Sequence, residues 1–293
     1  MTANERDAAV PPLIPHFSTL AADYDVLLCD VWGVVHNGIA AFPHACDALM
    51  RARARGAIVI LITNAPRQSE VVARQLEKLH VPREIFDGIV SSGDVTRAMI
   101  EARPGQSVFH IGPERDRSIF TGLGRLAPLE RADYVVCSGL DNDDVETPED
   151  YRARLEAMLA RKLFMVCGNP DAVVERGDKL VYCAGSIADL YATMGGEVLY
   201  AGKPYRPIYD MALAKAQAAA GRKVAASRVL AIGDSVRTDL KGARTIGVDF
   251  LFVTSGIHAE ELGGRERPDS KALNATFAAA GDMPKAVMRE LVW

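Results

Sequence analysis

Four uninterrupted apolar runs limit what this chain can fold into more than any other feature. They form the bodies of four strand readings, "VLLC" (Val26–Cys29), "AIVILIT" (Ala57–Thr63), "VLAIGD" (Val229–Asp234) and "DFLFVTSG" (Asp249–Gly256). A strand with one wet face alternates polar and apolar residues. A continuous run fits a strand covered on both faces, as in a parallel sheet. Helical signals lie between the runs. Pro43 opens a helix and Gly56 closes it, and Arg67 to His80 carries the apolar stripe Val71, Val72, Leu76 and Leu79. A third helix runs from about Pro207 to Ala220 and stops at Gly221; Thr238 to Ile246 reads as a short one before Gly247. Strand–helix alternation of this kind predicts an α/β fold with a parallel sheet and crossover helices.

The middle of the chain has the same rhythm. "SVFHIG", "ADYVVCSGL", "LFMVCGN" and "KLVYCA" read as strands, with a short helix at Asp116–Phe120 and a longer one from Thr147, Pro148 and Asp150 to about Lys162. Asp30 and Thr63 are 33 residues apart and Lys203 and Asp234 are 31 apart, each about one βα repeat. Thr63 and Lys203 are 140 apart, which leaves an excess of about ninety residues, enough for a small inserted unit.

Polar residues stand where each strand of such a sheet ends. Asp30 follows the first run, Thr63 and Asn64 the second; Lys203 follows "EVLYAG", and Asp234 and Asp239 lie in "GDSVRTD". Singly, each has a plain reading as a helix cap, a turn residue or a surface lysine. Together they would gather at one rim, because open parallel sheets bind ligands beyond the carboxyl ends of their strands. Carboxylates without a histidine or thiolate cluster suit a hard cation, and Mg²⁺ is the obvious one. Thr63 and the amides near it could hold phosphate oxygens, and one carboxylate could attack phosphorus.

The totals exclude several classes. The net charge is −4 with both signs interspersed, which argues against a nucleic-acid partner. The five cysteines form no CxxC pair, so a reduced, cytoplasmic protein is expected. The first residues lack a signal-peptide pattern, and no apolar run reaches the ~18 residues of a membrane span. "GLGRL" at Gly122 lacks the rest of a dinucleotide fingerprint, and Asp141 and Asp143 lack the closing Glu of a calcium loop.

"CDVWGVVHNG", "LITNAPR", "YAGKPYRPIYDMAL" and "VLAIGDSVRTDLKGARTIGVD" resemble, in order, the four motifs of the haloacid dehalogenase (HAD) superfamily. The match is to its class IIA branch, the relatives of NagD and 4-nitrophenylphosphatase with a type C2 cap. "CGNPDAVVERGD" resembles a segment of that cap. The resemblance implies a Rossmann-like core interrupted by an α/β C2 cap: core over residues 1–103, cap over 104–196, core again over 197–293. It implies a Mg²⁺-dependent phosphatase of small phosphorylated metabolites, of sugar-, nucleotide- or aryl-phosphate type. Asp30 would be the nucleophile. The metal would sit on Asp30, Asp234, Asp239 and the backbone carbonyl of Trp32. Thr63 and Asn64 would hold phosphate, Lys203 would hold Asp30 and the phosphoryl group in register, and Asn169 and Asp171 of "GNPD" would face substrate, a tight turn being the other reading of that segment. C2-capped relatives often dimerise, so a homodimer is allowed.

One position departs from the pattern. The family normally carries a second Asp two residues after the nucleophile, as acid and then base, and here that position is Trp32. An indole offers only a hydrogen-bond donor. General acid–base help is worth ~10²–10⁴-fold, so slow turnover of alkyl phosphates is expected. Three repairs are open: a substrate with a good leaving group, a substitute such as His36, or a protein that binds phosphometabolites and has given up most catalysis, with Trp32 stacking on a ligand ring or packing under the cap. Dehalogenation is disfavoured by Asp234 and Asp239, since that reaction needs no cation.

Overall fold

A computed structural model of the chain describes residues 11–293 except 124, 177 and 178. The start of the amino-terminal reading, Gly124 of "GLGRL" and the last two residues of "CGNPDAVVERGD" lie outside the described residues. In chain order the elements are α1 (Ser18–Ala21), β1 (Val26–Asp30), α2 (Pro43–Ala54), β2 (Ile58–Thr63), α3 (Ser69–Lys78), β3 (Gly88–Ser91), α4 (Ser92–Glu101), β4 (Ser107–Ile111), β5 (Arg125–Leu126), β6 (Tyr134–Cys137), α5 (Arg152–Ala160), β7 (Met165–Cys167), β8 (Val173–Arg176), β9 (Lys179–Tyr182), α6 (Ala184–Thr193), β10 (Val198–Tyr200), α7 (Arg206–Ala220), β11 (Val229–Gly233), α8 (Lys241–Ile246), β12 (Asp249–Val253), α9 (Ser270–Ala280) and β13 (Ala286–Met288).

The strands form two parallel sheets. One has the order β13-β12-β11-β1-β2-β3, the other β10-β7-β6-β4-β5, and β8 with β9 makes a separate antiparallel hairpin. The apolar runs are continuous because both faces of the larger sheet are covered. Leu27 and Cys29 of β1 point into one core with Val59 and Leu61 of β2, while Val26 and Leu28 point into the other with Ile60 and Ile62. Each such fully buried side chain contributes roughly 1.5–3 kcal/mol. The second sheet buries its own core, with Val135, Met165 and Cys167 against Tyr151 and Tyr191. Its last strand, β10, lies beyond residue 196. Among the described residues, no helix is long and apolar enough to cross a membrane.

Two local details shape the site. The helix expected from Thr238 begins earlier: Ser235 is the cap, its hydroxyl accepting from the Thr238 N–H at 3.3 Å, and a single π-type turn over Val236–Leu240 precedes α8. That wider turn carries Asp239, whose Oδ2 accepts from the Ser235 N–H at 3.2 Å. The acids set aside as a calcium loop have other partners. Asp143 takes Arg115 at 2.5 Å and Arg176 at 2.6 Å, and Asp141 takes Arg154 at 2.9 Å.

Candidate active site

Sheet order alone brings the expected residues together. β1 lies between β11 and β2, with Cys29 opposite Ile232 and Asp30 opposite Ile62. Asp30, Asp234 and Thr63 therefore leave adjacent strands at nearly the same level. Asp30, Asp234 and Asp239 are all buried, and an oxygen from each lies within 4.8 Å of the others. Lys203 enters from the loop after β10, where the chain returns from the second sheet. Its Nζ lies 2.6 Å from Asp30 Oδ1 and 2.6 Å from Asp239 Oδ1.

The supporting contacts are specific. The Val31 N–H donates to Asp30 Oδ1 at 2.7 Å, and the Ile257 N–H donates to Asp234 Oδ2 at 2.9 Å. Gly33 has φ +82°, and a Cβ there would stand 2.0 Å from Asp234 Oδ2, so the backbone passes where only glycine fits. Thr63 is buried and its hydroxyl accepts from the Ala65 N–H at 3.2 Å. The Asn64 side chain is fully engaged. Its Oδ1 accepts from the Lys203 N–H at 2.7 Å, while its Nδ2 donates to the Lys203 carbonyl at 3.2 Å and to Asp171 Oδ1 at 2.9 Å. That leaves the side chain no spare donor for a phosphate; it holds the lysine loop and the second sheet's Asp171 in place.

The electrostatics call for a cation. Burial raises the Asp30 carboxyl well above the usual carboxylate range, and the Asp239 charge adds to this, against the pull of Lys203. Burial and Asp239 likewise raise Asp234 to about 7. Burial works to lower the Lys203 ammonium, but Asp239 and Asp30 outweigh it and hold it well above its ordinary value. Three buried carboxylates share one ammonium, and every donor is oxygen. That set fits a hard divalent ion such as Mg²⁺. The Trp32 carbonyl accepts no backbone hydrogen bond among the described residues, so it is free to join the set.

Trp32 stands at the border of two cavities. One, of about 300 Å³, is lined by Asp30, Thr63, Lys203 and Asp234, with β8 contributing Val173 to Glu175. The other, of about 340 Å³, is lined by Arg67, Arg115, Asp116 and Asn169 among others. Trp32, Thr63, Asp171 and Val174 line both. Asn169 thus borders the outer cavity, and its Oδ1 accepts from the Asp171 N–H at 3.1 Å. The indole packs edge-on against His36, ring centres 5.0 Å apart, and over Gly38, where a Cβ would stand 2.6 Å from the ring. Its Nε1 is buried with no partner among the described residues. His36 lines neither cavity; its Nδ1 accepts from the Gly38 N–H at 2.8 Å, and burial lowers it to about 4. Burial therefore favours the neutral ring, which is no acid, and its place outside both cavities disfavours the suggested substitute.

No local sequence signal marks the contacts that join the larger sheet's elements to β8 and α6. Arg265 meets Glu175 of β8 at 2.7 Å, and Arg237 bonds Asp189 of α6. Both pairs join residues far apart in the chain, and no local pattern marks them.

Comparison with known proteins agrees with this geometry. Residues 27–125 match a family model described as haloacid dehalogenase-like hydrolase, and residues 200–277 match one described as HAD-hydrolase-like. A crystal structure of a haloacid dehalogenase-like hydrolase from Brucella suis 1330 is 44% identical and superposes with a TM-score of 0.86, covering 96% of this chain and 100% of that one. The 5'-nucleotidase YutF of Bacillus subtilis is 27% identical over 241 residues, 81% of this chain and 90% of that protein. The D-glycerol 3-phosphate phosphatase of Mycobacterium tuberculosis is 25% identical over 243 residues, 82% of this chain and 66% of its own length. The two matched segments contain Asp30, Thr63, Lys203, Asp234 and Asp239, and with the Brucella likeness running end to end, the chain belongs to the haloacid dehalogenase-like hydrolase family.

Proposed function

We propose that the protein is a Mg²⁺-dependent phosphatase of small phosphorylated metabolites, acting through an aspartyl-phosphate on Asp30. The observation that carries this reading is the Lys203 bridge: one buried ammonium 2.6 Å from both Asp30 and Asp239, with Asp234 inside the same metal-sized cluster. The names of relatives support it, since a 5'-nucleotidase and a glycerol 3-phosphate phosphatase both act on phosphate esters. Mg²⁺ would be held by Asp30, Asp234, Asp239 and the Trp32 carbonyl. When bound it neutralises the carboxylates and the phosphate charge.

The chain's own residues do the rest. Lys203 fixes the orientation of Asp30 and offers a cation to the phosphoryl group. The Thr63 hydroxyl has a proton to donate to a phosphate oxygen. Residues of the second sheet and the β8–β9 hairpin roof the site, and we assign them as the cap, extended at its carboxyl end to include β10. Trp32 forms a wall between the phosphate end and the outer cavity and supplies no proton. That wall also favours a second reading, a phosphometabolite-binding protein with feeble turnover.

A panel of aryl and alkyl phosphates with Mg²⁺ separates the two. The phosphatase reading expects hydrolysis that ceases with chelator and in Asp30→Asn. Folded, Mg²⁺-binding protein that cleaves none of the esters would leave the binding reading.

A further inference from the structure

Trp32 leaves the proposed reaction without a proton donor at the family's usual position, and the walls of the site offer few replacements. His258 has both ring nitrogens committed, Nε2 to the Val236 N–H at 3.3 Å and Nδ1 to Glu261 at 2.9 Å. Glu175 is paired with Arg265. Asp143 is held ionised: burial works to raise it, but Arg176 and Arg115 prevail and its carboxyl lies below the usual range. Asp116 lines only the outer cavity, away from the nucleophile.

Asp171 differs from all of these. It lines both cavities, the one that holds Asp30 and Lys203 and the outer one beyond Trp32. Its Oδ1 is tethered by Asn64 at 2.9 Å, and Asn64 grips the backbone of Lys203, which touches Asp30. Its main chain is fixed by Asn169 Oδ1 and by the Gly185 N–H, each at 3.1 Å. Its Oδ2 makes no hydrogen bond among the described residues. One carboxyl oxygen is anchored and the other is left for chemistry.

We propose that Asp171, supplied by the cap, is the general acid and base of this enzyme in place of the residue that Trp32 has displaced. The assignment rests on the phosphatase reading. Burial raises the Asp171 carboxyl above the usual range, against the pull of Lys203 and the Asn64 hydrogen bond. The groups facing it are Lys203, Asp239, Asp234 and Arg237 from the core and the Cys183 thiol from the cap. A raised carboxyl is what an acid working toward neutral pH requires.

The bookkeeping of protons closes. A carboxylate oxygen of Asp30 bonds to phosphorus, the ester P–O bond breaks, and its electron pair goes to the leaving oxygen, which takes the Asp171 proton. Ionised Asp171 then draws a proton from water as the water oxygen bonds to phosphorus. The bond to Asp30 breaks, its pair returns to that carboxylate, and Asp171 is protonated again.

Asp171→Asn tests the assignment, because asparagine can still accept from Asn64 while offering no acid. With glycerol 3-phosphate, an alkyl ester, kcat/KM should fall ~10²–10⁴-fold. With p-nitrophenyl phosphate, whose leaving group departs unprotonated, kcat/KM should change less than about tenfold. That substrate should also show a burst of nitrophenolate, since release of phosphate from Asp30 has lost its base. Asp171→Glu keeps an acid and should retain more alkyl hydrolysis than Asp171→Asn. Equal losses with both esters, no loss with the alkyl ester, or equal alkyl rates for the two variants would overturn the assignment and leave the phosphatase standing. Wild-type protein that cleaves neither ester would overturn the phosphatase reading, and the assignment with it.

Discussion

Replacing Lys203 by methionine removes the one ammonium among three buried carboxylates and little volume. The consequence can be worked from the contacts. Asp30 and Asp239 each lose a partner at 2.6 Å and remain buried. Breaking a buried pair by deleting one member costs ~3–5 kcal/mol. The cost has a ceiling, because one carboxyl can neutralise itself by taking a proton. For an ordinary carboxylate at pH 7 that costs about 4 kcal/mol, at about 1.4 kcal/mol per pH unit. The two routes agree, so metal-free Lys203→Met should lose about 4 kcal/mol at pH 7. At roughly 2–4 °C per kcal/mol, its thermal midpoint should drop by about 8–16 °C. The folded variant must hold one proton more than the folded wild type, so the deficit should shrink by about 1.4 kcal/mol for each unit from pH 7 to pH 5. Thermal unfolding in chelator across that range is the assay. A loss under about 1 kcal/mol, or one indifferent to pH, would show that Lys203 does not compensate these charges.

Three further outcomes follow from the same site. Asp234 is raised to about 7, so in chelator the folded protein keeps a proton there that the unfolded chain loses near pH 4; stability should fall by about 1.4 kcal/mol from pH 6 to pH 8 and level off above, as thermal melts can record. Gly33→Ala forces a methyl group to 2.0 Å from Asp234 Oδ2 at φ +82°, and should weaken Mg²⁺ binding in calorimetry while destabilising the fold by ~1–3 kcal/mol. Arg265→Ala removes the link to Glu175 between side chains 49% and 27% exposed, so urea unfolding should shift by no more than about 1 kcal/mol; a larger shift would show that this contact carries part of the fold.

The sheet was legible because burial on both faces leaves continuous apolar runs, and β1, β2, β11 and β12 stand where those runs stand. The rim was legible because a parallel sheet sends every strand's carboxyl end to the same edge. β3 and β13 were missed. They are four and three residues long, too short for periodicity to register. The helix after β3 starts from a capping box in which Asp94, rather than a longer acid, answers Ser91. Thr238 was the natural cap on sequence, but the π-type turn moved that role to Ser235 and placed Asp239 against Lys203. The family resemblance implied Asn64 as a phosphate ligand beside Thr63. Its side chain instead meets Lys203 and Asp171, 139 and 107 residues away, and sequence spacing carries no trace of such contacts.

In the proposed enzyme Asp30, Asp234 and Asp239 share one divalent ion. Mn²⁺, which reports itself by anomalous scattering, tests it most directly in crystals grown with that ion and phosphate. One strong peak should appear, bonded at about 2.1 Å to carboxylate oxygens of Asp30 and Asp234, and should be lost in Asp234→Asn. Ordered protein with Mn²⁺ bound elsewhere, and these carboxylates turned away from one another, would contradict it.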